Sequence, residues 1–466
     1  MKKNLRIFLV VTFSIFEVIS CQKSPQLNHS ESQVTGSFAC PARTPLPQLY
    51  SQMRAMPKPV QPLTPPRSQP QGSEELVQRT QDLPAVFSKE STLFGVEVEL
   101  PATADLQRDY AKMLLEVVIN DKLKKCNIGL TSWKWQQGKR FTLTDEKRNP
   151  KTININIGTD PAVVEISTTP LTYGQTESWQ DILEDLIFAT SRDLEKAKYL
   201  GSPDKERNRW SGHLNISWPG LMTSMGYHEP YSRTTFQRMS LAPAEIERQN
   251  MNLLLNLFVD LQNHPQLAMG ILGGDTRNAT PLVFGNESEQ KTLTDTIRAY
   301  EGNQVTNLAQ LASKLVKAHP ESSPGTFGHT HYSLLSTEGL TIPDYSWGYV
   351  RGTRLEIRGF FSPTSMASIL SNYRLMNARL AFLYENFTLN GKVLAYRPPK
   401  MDPNFLKNIN RNNFIVHGLS GNLNPIEAAD VYIDYISQTG LNPLNESQYL
   451  RDPIVKAAVQ NRLQCR

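Results

Sequence analysis

The chain has 466 residues, 39% of them hydrophobic, with 49 Lys and Arg against 44 Asp and Glu and a formal net charge of +5. That length buries a sizeable core and suggests about two or three domains. No Arg-Lys run is concentrated enough to mark a nucleic-acid partner, and past the N-terminus no run approaches the ~20 apolar residues of a membrane-spanning helix.

Lys2, Lys3 and Arg6 form a basic opening, and Ile7 to Ile19 is a short apolar run ending at Ser20-Cys21. The run is too short to span a bilayer comfortably and has the flanks of a signal peptide. Val18-Ile19-Ser20-Cys21 resembles a bacterial lipobox, whose cysteine is lipidated and becomes the mature N-terminus. Residues 1–20 are thus expected to be a signal peptide, with Cys21 carrying lipid. The protein would then be exported and lipid-anchored in the bacterial cell envelope. Cys40, Cys126 and Cys465 include no C-x-x-C pair, which argues against a structural zinc site. An oxidising envelope would allow one disulfide among the three, with the pairing left open.

Residues 21–88 are rich in proline, as in Pro57-Lys58-Pro59-Val60-Gln61-Pro62-Leu63-Thr64-Pro65-Pro66. Proline removes donors and favours extended conformations, so this segment reads as a disordered, semi-rigid tether. A folded unit is expected over 89–390, followed by an extension over 391–466.

Leu93 to Leu100 alternates as a strand, placing Glu97 and Glu99 on one face and Val96 and Val98 on the other. Carboxylates roughly 7 Å apart repel unless a proton or cation intervenes, and hard divalent metals prefer such oxygen ligands. The same pattern also suits an edge strand with a solvated acidic face. Helical spacing follows over Asp105 to Leu123, then a hairpin around Gly138 and an alternating strand over Thr152 to Ile157. Ala162 to Leu171 is a strand carrying Glu165. Trp179 to Leu200 is an amphipathic helix. In Gly212 to Trp218, His213, Asn215 and Ser217 alternate with apolar residues. Helices are expected over Pro243 to His264, Gln304 to His319 and Thr364 to Glu385. Before the last of these, Gly352 to Phe360 alternates with Arg354, Glu356 and Arg358 on one face, which also suits an ion-pair ladder on a wet surface.

Taken in order, Phe94-Gly95-Val96-Glu97-Val98-Glu99, Val164-Glu165-Ile166-Ser167-Thr168-Thr169-Pro170-Leu171, Gly212-His213-Leu214-Asn215-Ile216 and Thr353-Arg354-Leu355-Glu356-Ile357-Arg358-Gly359-Phe360 resemble the amidoligase family of carboxylate-amine ligases. His331-Tyr332-Ser333-Leu334-Leu335 stands where that family has a short strand. The resemblance covers about residues 91 to 390. It implies an α+β fold with a glutamine-synthetase-like curved antiparallel sheet and helices on its outer face. It also implies ATP and Mg²⁺ or Mn²⁺ as cofactors, and a small-molecule or peptide substrate offering a carboxylate and an amine.

On that resemblance Glu97, Glu99, Glu165 and Glu356 are metal ligands, while His213 and Asn215 lie at metal and nucleotide. Arg358, with Arg354, holds phosphate or the acyl-phosphate intermediate. Arg351 and His329 are further candidates by proximity. Two features depart from the family: no Asp-x-Ser element stands near Thr142 to Asp145, and Leu334-Leu335-Ser336 lacks the usual asparagine. An exported protein meets little ATP, so a second reading is a non-catalytic envelope lipoprotein that keeps a degenerate ligase fold for binding or scaffolding. A third is a metal-dependent hydrolase using His213 and the carboxylates.

Overall fold

The computed structural model describes residues 87, 92–101, 105–125, 128–135, 138–160, 163–196, 211–218, 244–265, 267, 282, 287–318, 334–336, 355–361, 363–398, 425–450 and 453–464. The expected signal peptide, Cys21, Arg351, Arg354, His329 and the three other cysteines lie outside the described residues, as does the expected tether except Phe87. The Phe87 ring is buried against Trp218 and Tyr384, so the folded unit takes in a residue from the end of the segment expected as tether.

The described chain is a mixture of helices and an antiparallel sheet, as expected of an α+β protein. Eight strands run β1 (Leu93–Pro101), β2 (Gly129–Trp135), β3 (Gly138–Thr144), β4 (Thr152–Asp160), β5 (Val163–Thr168), β6 (Ser211–Ser217), β7 (Leu335–Ser336) and β8 (Leu355–Phe361). Their spatial order is β2-β3-β4-β5-β1-β6-β8-β7, every neighbouring pair antiparallel. The first strand in sequence therefore sits near the middle, flanked by β5 and β6.

Period-two alternation gives the sheet two unlike faces. Phe94, Val98, Leu100, Phe141, Leu143, Ile153, Ile155, Ile157, Val164, Ile166, Leu214, Ile216, Leu355 and Ile357 are all buried. Helices cover this apolar face. Helix α1 (Asp105–Lys125) lies against β2, β4 and β5. From α8 (Met366–Asn386), the Tyr373 ring stacks on Phe94 at 4.3 Å between centroids. Between them in sequence come α2 (Tyr173–Ser178), α3 (Gln180–Leu183), a π-helical turn over Glu184–Ala189, α4 (Thr190–Lys196), α5 (Ala244–Asn263), α6 (Glu287–Glu301) and α7 (Leu308–Val316). The helix expected from Trp179 starts there, with Trp179 preceding α3 and the run continuing through the π-helical turn to Lys196. The separate short helix α2 comes before it, where Thr172 and Gln175 close a reciprocal capping box.

The segment expected as an extension over 391–466 carries α9 (Pro425–Gln438), α10 (Pro443–Glu446) and α11 (Pro453–Gln464). It joins the same core. Arg379 of α8 makes two bonds to Asp260 of α5, from Nε at 2.8 Å and Nη2 at 2.5 Å, while Tyr435 of α9 donates to the same carboxylate at 3.1 Å. Glu446 accepts from Arg374 and Ser371 of α8. Side chains on α5 also act as peptide surrogates for residues 392–397. Asn256 accepts from Leu394 N–H and donates to Lys392 C=O, and Asn263 repeats the pattern with Arg397 and Ala395. No helix among the described residues is long and apolar enough to cross a membrane.

Candidate functional site: the polar face of the sheet

Residues directly opposite in an antiparallel ladder share a face, so the register locates the polar side without reference to any ligand. One row runs Arg140 on β3, Asn156 on β4, Ser167 on β5, Glu97 on β1 and His213 on β6, each the Cα partner of the next. The β6–β8 register shifts between Gly212 and Leu214, so that Arg358 and Gly359 together stand opposite His213. The bulge therefore carries the row on to Arg358. A second row runs Gly138, Gly158, Glu165 and Glu99. A third runs Gly95, Asn215, Glu356 and Ser336.

Six of the expected site residues thus fall on three adjacent rows around β1, and Arg358 joins the first row at the bulge. Glu99 and Glu165 are directly opposed, with Cβ atoms about 5 Å apart by ladder geometry. Glu97 follows about 7 Å along β1. All three are half-buried. Glu356 stands apart from them, two strands from β1 and on the far side of the Glu97 row, about 10 Å across and 13 Å along from Glu99. Among the described residues, no three His, Cys, Asp or Glu side chains form a group ready to hold a metal. His213 and Asn215 are placed by the backbone alone.

Glu356 meets a different partner. Its Oε1 lies 2.6 Å from Arg358 Nη2, and the two side chains are 10% and 4% exposed. Residues two apart on a strand share a face, so the pair forms within β8 rather than between strands. Removing charges from water costs several kcal/mol per ion unless they are paired, and this pairing fixes the guanidinium on the polar face. The Arg358 backbone N–H is also held, donating to Leu334 C=O at 3.0 Å.

At the opposite end of the first row lies Arg140, which local alternation alone does not mark as functional. Arg140 is 3% exposed, and its Nε donates to Asn156 Oδ1 at 2.7 Å. Asn156 in turn donates to Ser167 Oγ at 3.3 Å. Below them Thr142 donates to Asn154 Oδ1 at 2.6 Å. The signal was present in the alternation of Arg140-Phe141-Thr142-Leu143 and of Ile153-Asn154-Ile155-Asn156-Ile157. Alternation marks those stretches as strands, but what their polar sides share appears only once β3, β4 and β5 are in register. Chemically, the face offers hard oxygen donors near its middle and a guanidinium towards each end.

No family model matches this chain, and no curated protein matches it.

Proposed function

We propose that the protein is an ATP-dependent carboxylate-amine ligase working on the polar face of its sheet, on a glutamine-synthetase-like scaffold. The observation that carries this reading is the row Ser167-Glu97-His213-Arg358, flanked by the Glu99–Glu165 pair and by Asn215 and Glu356. Joining a carboxylate to an amine requires the carboxylate oxygen to leave, and transfer of a phosphoryl group from ATP makes it a leaving group. The amine then attacks the acyl carbon, releasing phosphate and forming the amide.

The donor set near β1 suits a hard divalent cation. Glu99 and Glu165, directly opposed on that face, are the carboxylates that would hold Mg²⁺ or Mn²⁺, which would supply charge neutralisation for the phosphates. The chain's own residues do the rest. Arg358 offers a planar pair of donors to phosphate oxygens and to the charge that grows during transfer. Glu356, expected as a fourth metal ligand, is better placed to hold the Arg358 guanidinium in position. His213 and Asn215 stand in the rows between Glu97 and β8, where the nucleotide phosphates would lie.

The Glu356–Arg358 pair also favours a second reading, in which the face binds an anionic ligand without turnover, because a neutralised pair is stable without chemistry. The two readings separate on one experiment. Full-length protein is titrated with ATP in the presence and absence of Mg²⁺, and phosphate release is followed across a panel of carboxylates and amines. Amine-dependent release supports the ligase, whereas metal-dependent binding with no release on any pair supports the binding protein.

A further inference from the structure

We infer that β2 is a dimerisation edge. Two copies of this chain join β2 to β2 as an antiparallel pair about a two-fold axis at Ser132, making one continuous sheet of both.

The two ends of the sheet differ. At one end β7 is two residues long, whereas at the other β2 runs seven, from Gly129 to Trp135. All seven residues of β2 match β3 in unbroken register, without a bulge. Among the described residues no strand pairs with the outer side of β2, and Gly129, Thr131 and Ser132 are exposed. An edge strand turns every second N–H and C=O out of the sheet, a template for another strand. Edges that stay single are blunted by shortness, bulges, proline or charge. β2 carries only Lys134 of these devices, and Thr131, Trp133 and Trp135 are strand formers.

The partner is a second copy because β2 complements itself. With the axis at Ser132, Thr131 stands opposite the partner's Trp133, Leu130 opposite the partner's Lys134, and Gly129 opposite the partner's Trp135. Each pair joins residues an even number of positions apart, so outward backbone groups meet outward backbone groups. A register one residue off would break that match. Aromatic and β-branched residues opposed across a ladder stabilise it, and an aromatic opposite an edge glycine covers the bare backbone. No charge meets its like. Moving the axis to Lys134 would instead set two lysines face to face, each already opposite Lys139 of its own chain.

An axis normal to the sheet keeps both polar faces on the same side. β1 lies four strand intervals from β2, so each Glu99–Glu165 pair stays within its own chain. The contact is one strand wide, at the small end of specific interfaces, so association should be micromolar rather than nanomolar.

The test is sedimentation of full-length protein in non-ionic detergent over a concentration series. The wild type should pass from monomer to dimer. Ser132→Lys and Ser132→Glu each set like charges together on the axis, and each should weaken self-association by roughly tenfold or more. Mixing the two variants should restore a dimer, which misfolded chains would not do. Ser132→Cys should give a disulfide-linked dimer on mild oxidation, because directly opposed strand residues have Cα atoms about 4.5–5.5 Å apart, within disulfide reach. Mass spectrometry should place that link at position 132 in both chains, with the unaltered protein as the control for its own cysteines. A wild type that stays monomeric throughout overturns the inference, even if an added extended peptide shields the β2 amides from hydrogen exchange. So does a dimer indifferent to charge at position 132, or one that Ser132→Cys fails to link.

Discussion

Glu99 stands directly opposite Glu165 across the β1–β5 ladder, two carboxylates on one face of the central strand pair. Like charges opposed in this way destabilise a sheet unless a cation lies between them. Mg²⁺ or Mn²⁺ should therefore raise the melting temperature, by an amount corresponding to about 2.7 kcal/mol at a concentration a hundred times the dissociation constant. Glu165→Gln should blunt that response. Calorimetric melting with and without metal measures both, and an equal response in wild type and variant would contradict the site.

The ion pair between Asp260 and Arg379 ties α5, α8 and α9 together. Burial raises the Asp260 pKa, but the bonds from Arg379 and His264 outweigh it and hold the carboxyl below its usual range. An acid depressed in the folded state stabilises the protein fully above its unfolded value of about 3.9, and loses that contribution as pH falls through the lower folded value. Asp260→Asn should cost about 3–5 kcal/mol at neutral pH, because Arg379 is left in the core without its carboxylate. The variant should also lose the part of the acid sensitivity below pH 4 that Asp260 supplies. Urea unfolding across pH 3 to 7 reads both effects.

Asn256 anchors the chain after α8 by accepting from Leu394 N–H at 2.6 Å and donating to Lys392 C=O at 3.1 Å. Asn256→Ala should cost roughly 2–4 kcal/mol, the sum of two lost bonds and the backbone groups left behind. Protease should cut between 390 and 400 faster in the variant than in the wild type. Equal cleavage would mean that the amide does not hold this segment.

What the sequence disclosed follows from the range over which each signal acts. Alternation is local, so β1, β4, β5, β6 and β8 could be read directly, and with them Glu97, Glu99, Glu165 and Glu356. Pairing is not local: the placement of β1 between β5 and β6 depends on total burial of one face. The family resemblance, not the alternation, groups the four glutamates; the register sets Glu356 away from Glu99, and Glu356 pairs with Arg358. Helix α6 carries no strong signal because Leu293, Ile297, Ala299 and Tyr300 are its few apolar contacts in a polar run. Helix α9 escaped because its buried Ala428, Ala429, Tyr432 and Ile436 lie behind a stretch with no clear period.

The tether reading makes a separate prediction. If Cys21 ends a lipoprotein signal, the mature protein should partition into detergent and incorporate labelled fatty acid. Cys21→Ser should abolish both the label and normal processing. Unchanged labelling in the variant would remove the lipid anchor from the account.

The central claim is that Arg358 stabilises charge during phosphoryl transfer, with Glu356 holding it in place at 2.6 Å. Removing a donor aimed at charge that develops in the transition state typically costs on the order of 10²- to 10³-fold in rate. The most direct measurement is amine-dependent phosphate release from ATP by full-length wild type and Arg358→Ala, with nucleotide binding measured alongside. The account predicts that release falls by that factor in Arg358→Ala while most metal-dependent ATP binding persists. Release that is absent in the wild type on every carboxylate and amine pair, or equal in the two proteins, would contradict it.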